Sequence, residues 1–100
     1  MEWEDKCEMI RLSNEIEGDA AGARDKFNAH VLAHVKSFDN QAWDMFVTCV
    51  NIVDETMRAD IEFWKEMYPH VKNMDGEIGF RPSLRLELIK TVCEDDLNIK

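Results

Sequence analysis

Apolar residues recur along this chain at helical rather than strand spacing. Between Asn40 and Tyr68, Trp43, Val50, Met57 and Trp64 follow one another every seven residues, and Phe46, Val47, Val53, Ile61, Met67 and Tyr68 fill the three- and four-residue steps of the same face. The pattern predicts one long amphipathic helix. Asp39 is placed to cap its first free N–H groups, Phe38 and Trp43 to close a hydrophobic staple across its start, and Pro69 to end it. Twenty-nine residues at about 1.5 Å each make a rod of about 44 Å, longer than the roughly 33 Å diameter of a 100-residue domain. Either the rod kinks, at the polar Asp54-Glu55-Thr56 step, or its far end, with Phe63, Trp64, Met67 and Tyr68, is covered, and a second copy of the chain is the expected source of that cover. A homodimer or higher oligomer through this helix is the expectation.

The same spacing places three further helices. From Trp3 to Glu17, Trp3, Cys7 and Ile10 form one apolar line and Met9, Leu12 and Ile16 an adjoining one, with Glu4, Asp5, Glu8 and Glu15 opposite and Gly18 as a left-handed terminator. A second helix runs to about Ser37 on a face of Ala20, Ala23, Phe27, Val31, Val35 and Phe38. After the long helix comes a connection framed by Pro69 and Pro82, of a length that often carries function. Ser83 then caps a last helix to about Asp95 that buries Leu84, Leu88, Ile89, Val92 and Cys93, followed by a fraying tail. Leu84, Leu86 and Leu88 also alternate as a strand would, but the apolar content continues through Ile89, Val92 and Cys93 without a turn residue. The expected fold is an all-α, four-helix domain spanning residues 1–100, with the third helix long and central.

Composition narrows the class. An apolar content of 45% is enough for a core, while no apolar run of eighteen residues exists to span a membrane. Met1 to Asp5 is acidic where a signal peptide would be basic, so a cytoplasmic protein is expected. Cys7, Cys49 and Cys93 are odd in number and widely spaced in apolar surroundings, which reads as buried reduced thiols. The net charge is −9, concentrated in residues 1–19, 54–66 and 94–100, whereas residues 20–36 are slightly basic. Such a field repels nucleic-acid phosphates and anionic membranes and attracts a basic partner.

Candidate chemistry is sparse. Residues 73–80, Asn-Met-Asp-Gly-Glu-Ile-Gly-Phe, resemble the middle of an EF-hand loop, but that register puts Val71 and Pro82 at the first and the bidentate ligand positions, so no calcium site is expected. His30 and His34, one turn apart, present two imidazoles. Two ligands do not make a site; a third would come from His70 or from an acid of the long helix, and a core role is the expectation for His34. Asp54, Glu55, Asp60, Glu62 and Glu66, interspersed with Arg58 and Lys65, read as a solvated face; the paired acidic steps on successive helices of all-helical nucleotide pyrophosphohydrolases are absent. There is no phosphate-cradling glycine loop and no nucleophile with a base, so neither an enzyme nor a cofactor is expected.

Recognition is left as the expected function. The acidic face of Glu4, Asp5, Glu8, Glu15 and Glu17, with Trp3 as an exposed anchor, would engage a basic protein or complex. A concrete version is a small phage-type anti-defence inhibitor that fills, in the host cytoplasm, a cationic groove meant for nucleic acid. Two alternatives stand beside it: an oligomer that binds a small anion or nucleotide at Arg24, Lys26 and His30, and a plain scaffold protein.

Overall fold

The computed structural model describes residues 1–18, 21–50, 52–74 and 78–99. Every regular element among them is helical: α1 (Trp3–Glu17), α2 (Ala23–His34) with a 3-10 turn at Val35–Ser37, α3 (Asn40–Cys49), α4 (Asp54–Ala59), α5 (Ile61–Lys72) and α6 (Phe80–Thr91) with a π-helical turn at Val92–Asp96. The chain divides into two units, Met1–Val50 and Asn51–Lys100.

The expected long helix is not continuous. Val50 and Val53 are extended, at φ −85° and ψ 132° and at φ −129° and ψ 140°, and Asp60, at φ −113° and ψ 31°, separates α4 from α5. Val50, Ile52 and Val53 are β-branched, and their restricted side chains weaken a helix where no neighbour enforces it. The seven-residue register still marks burial correctly, since Trp43, Val50, Met57 and Trp64 are all buried. It does not mark continuity. With the rod gone, the length argument for a second copy goes with it.

In the first unit α1 packs on α2 and α3. Its core is Met9 and Leu12 of α1, Ala23, Phe27 and Val31 of α2, and Ala42, Trp43, Phe46 and Val47 of α3. The predicted start of α3 holds: Asp39 Oδ1 accepts a hydrogen bond from the Ala42 N–H at 2.8 Å, and the Phe38 and Trp43 rings meet edge-on at 5.1 Å. Gly18 is not left-handed (φ −84°), and the turn before α2 uses Gly22 instead (φ 73°). Ala20 lies outside the described residues.

In the second unit α5 packs against α4 and α6. Pro69 does not end α5, which runs on to Lys72. Proline cannot donate to the Lys65 carbonyl, but Lys65 and Pro69 share the exposed face, so that oxygen is not buried without a donor, and the Pro69 carbonyl still accepts from the Asn73 N–H at 3.1 Å. At the other proline α6 begins earlier than expected, at Phe80 rather than after Ser83. Pro82 sits in the first helical turn, where its missing N–H costs no bond. The connection expected between the two prolines is thereby shortened, and Asp75, Gly76 and Glu77 of the EF-hand-like stretch lie outside the described residues. Leu86 and Ile89 are the buried residues of α6, whereas Leu84 and Leu88, expected in the core, are exposed on one line with Phe80. Nor does the tail fray: Leu97 and Ile99 are buried, and the Ile99 N–H donates to the Cys93 carbonyl at 2.8 Å across a left-handed Asn98.

Candidate functional site

Helix α1 faces two neighbours and cannot bury all of its wide apolar stripe. Lys6, Met9, Leu12 and Ser13 turn inward. The line Trp3, Cys7, Ile10 turns outward: Trp3 is 61% and Ile10 39% exposed, and Cys7 is exposed. Lys6 takes its inward place because its ammonium has partners, donating to Asp39 Oδ2 at 2.9 Å and Gln41 Oε1 at 2.8 Å.

Past Ile10 the outward line enters an open groove of about 300 Å³ between α1 and α3. Ile10, Ser13 and Glu17 line one wall, and Asp44, Met45 and Cys49 the other. Its charged lining groups are the carboxylates of Glu17 and Asp44, with no base among the lining residues. Burial pushes the Cys49 thiol up from its ordinary range, a hydrogen bond with Ser13 opposes this, and the charge of Glu17 adds to it.

The five acids singled out on α1 are not equivalent. Glu4 and Glu17 are exposed. Glu8 and Glu15 are tied to Arg11, which donates from Nε to Glu8 at 3.0 Å, from a terminal nitrogen to the other Glu8 oxygen, and from Nη1 to Glu15 at 2.6 Å. The Arg11 hydrogen bond holds the Glu8 carboxyl below its usual range. Asp5 is half-buried and turned toward α2, its Oδ1 3.7 Å from His34 Nε2. Glu4 and Glu17 on α1 and Asp44 on α3 are exposed to water.

The other expected sites fare differently. Phe63, Trp64, Met67 and Tyr68 are 7%, 3%, 0% and 7% exposed, and Tyr68 donates its hydroxyl to Glu94 at 2.7 Å. Their apolar surface is covered without a second copy. Arg24 and Lys26, two residues apart on α2, point about 200° from one another, and the His30 ring bonds the Asp5 carbonyl, so the three do not converge on one anion. The α3 wall of the groove had no signature in the sequence, where Cys49 reads as one more core thiol.

Of the three thiols only Cys93 is fully buried; Cys49 is half-buried and Cys7 exposed. Burial, then the charge of Glu94, raises Cys93 to about 11. Ellman titration of the native protein at pH 8 is expected to show Cys7 reacting first, Cys49 more slowly and Cys93 only on unfolding, since about one Cys93 in a thousand is then thiolate. Equal rates for all three would contradict this order. No described helix is long and apolar enough to cross a membrane. No protein-family model, no curated protein and no solved structure matches the chain.

Proposed function

We propose that this chain is a non-enzymatic protein-binding module whose outward α1 ridge and adjoining groove hold a basic segment of a partner protein. The observation that carries the reading is the exposure of Trp3, at 61%, beside Glu2 and Glu4 and in line with Cys7 and Ile10. A tryptophan left in water at the end of an apolar line is the kind of group that dominates interface energy, because a partner can bury its large rigid surface at little entropic cost. Glu17 and Asp44 in the groove, within a chain of net charge −9, supply attraction to lysine and arginine and raise the association rate.

A concrete version is an inhibitor that fills a cationic groove built for nucleic acid, its carboxylates standing where phosphates would lie. An anti-defence protein acting in a host cytoplasm is one such case, and free thiols suit that reducing compartment. Direct nucleic-acid binding runs against the charge. Self-association through Phe63, Trp64, Met67 and Tyr68 forms no part of the reading, because those side chains are already buried.

The test is capture from a host lysate with three baits: the wild type, Trp3→Ala, and the triple variant Glu4→Gln, Glu17→Gln, Asp44→Asn. A basic protein held by the wild type is expected to be lost from both variants, and lost from the wild type as salt is raised from about 0.1 to 0.5 M, where screening shortens to a few ångströms. Equal capture by all three baits, or capture indifferent to salt, would remove the proposal. A stabilisation specific to one nucleotide would favour the small-ligand alternative.

A further inference from the structure

The first turn of α1 and the last turn of α2 bring together three metal-ligating side chains that the protein-binding reading does not use. His30 and His34 stand one turn apart on α2, their ring centres 4.7 Å apart and their planes tilted by 53°. Asp5 supplies the third group, and one ligand atom from each residue lies within 4.8 Å of the other two. We propose that Asp5, His30 and His34 form a binding site for one late first-row divalent cation, Zn²⁺ in the simplest case.

Geometry separates this from an ordinary ion pair. A charge-assisted hydrogen bond between His34 and Asp5 would close to about 2.8 Å. The observed His34 Nε2 to Asp5 Oδ1 separation is 3.7 Å. Ligand atoms about 2.1 Å from a tetrahedral zinc are about 3.4 Å apart, so the observed gap suits two ligands of one ion better than a donor and its acceptor. Three such atoms no more than 4.8 Å apart can share an ion at most about 2.8 Å from each, and adjustment of the side chains, a turn of the His30 ring included, brings the bonds to about 2.1 Å.

The ring of His30 is already held in place. Its Nε2 is 2.8 Å from the Asp5 carbonyl oxygen, which can only accept, so Nε2 is the donor there and, in the neutral ring, Nδ1 is the nitrogen left for an ion. Asp5 therefore serves twice, with its carbonyl orienting one histidine and its carboxylate facing the other. The side chains of Asp5 and His34 are 35% and 31% exposed, which leaves a fourth position for water. Two imidazoles and one carboxylate favour zinc, nickel or cobalt over magnesium or calcium. The third ligand comes from α1, neither from His70 nor from the acids of residues 54–66.

The full-length chain is dialysed against micromolar free Zn²⁺, and bound metal is counted by elemental analysis. One zinc per chain is expected for the wild type, His70→Ala and Cys7→Ser, with affinity reduced at least about tenfold in Asp5→Asn and His34→Ala. At a hundredfold excess of zinc over Kd, the wild-type Tm is expected to rise by about 10 °C. Co²⁺ in place of zinc is expected to give tetrahedral visible bands without the thiolate-to-metal absorption that a Cys7 ligand would add. Less than one zinc per wild-type chain, binding unchanged in Asp5→Asn, or a thiolate band with Co²⁺ would each overturn the site. If His34→Ala fails to fold, the near-isosteric Asp5→Asn and the wild-type cobalt spectrum still decide. Protein capture by Trp3 is independent of all these readouts, so either proposal can fail alone.

Discussion

Phe46→Ala is expected to destabilise the first unit by about 3–5 kcal/mol, the largest effect of any single truncation proposed for this chain. The ring is fully buried and stands among three others, 6.5 Å from Phe27, 6.1 Å from Phe38 and 5.9 Å from Trp43, centre to centre. Truncation removes the transfer energy of a phenyl group and leaves a cavity lined by rings from α2, α3 and the turn between them, and large rings cannot collapse to fill it. Against a total stability of about 5–15 kcal/mol, that loss is from about a fifth to the whole of it. Trp3→Ala is the matched control. Its indole is mostly in water, so a change within about 0.5 kcal/mol is expected. Urea denaturation followed by far-UV circular dichroism measures both. If Phe46→Ala lost less than about 1 kcal/mol, or Trp3→Ala lost more than Phe46→Ala, the division of this unit into core and recognition surface would be wrong.

That division shows what the sequence could disclose. The bounds of helix α1 were legible, though not the conformation of Gly18 that closes it, and so was the cap of α3, because Asp39 and the Phe38 and Trp43 pair act within a few residues. What failed needed tertiary information. Six apolar residues wrap so far around α1 that some must face water, but which ones depends on where α2 and α3 lie. The packing selects Met9 and Leu12, and Trp3 and Ile10 are left out. Likewise, the seven-residue step through Trp43, Val50, Met57 and Trp64 reports that each is buried, and separate helices satisfy it as well as one rod does. The β-branched residues around Val50 were the local warning. The groove and the Asp5, His30 and His34 cluster each join residues from two helices, and no spacing within one helix reveals such a meeting.

Lys6 joins α1 to the start of α3, and its partner Asp39 is where pH is expected to act. Asp39 holds α3 through its cap bond and accepts the Lys6 ammonium at 2.9 Å, with Lys6 itself 5% exposed. Asp39→Ala removes a cap worth about 1 kcal/mol and strips the ammonium of its charged partner. Loss of a fully buried pair costs about 3–5 kcal/mol, but the Asp39 side chain is 55% exposed, so a total near 2 kcal/mol is expected. Asp39→Asn keeps the cap, since asparagine caps as well as aspartate, and removes only the charge, for about half that loss. The hydrogen bond from Lys6, and then that from the Ala42 N–H, hold the Asp39 carboxyl below its usual range. A carboxyl depressed in the folded state stabilises it above the unfolded value, about pH 3.9, and that contribution disappears as pH falls through the folded value. Wild-type stability should therefore fall more steeply than that of Asp39→Asn as pH drops below about 4, and the two should run parallel from pH 5 to 7. Urea midpoints at pH 3, 4.5 and 7 give the comparison, and parallel curves over the whole range would mean that the Lys6 and Asp39 contact carries no net stability. Lys6→Met separates the remaining possibility: methionine fits a buried position without needing a charge, so near-neutral stability with the acid dependence reduced to the part that the Ala42 N–H bond sustains would locate the rest of the effect in the pair and leave the cap intact.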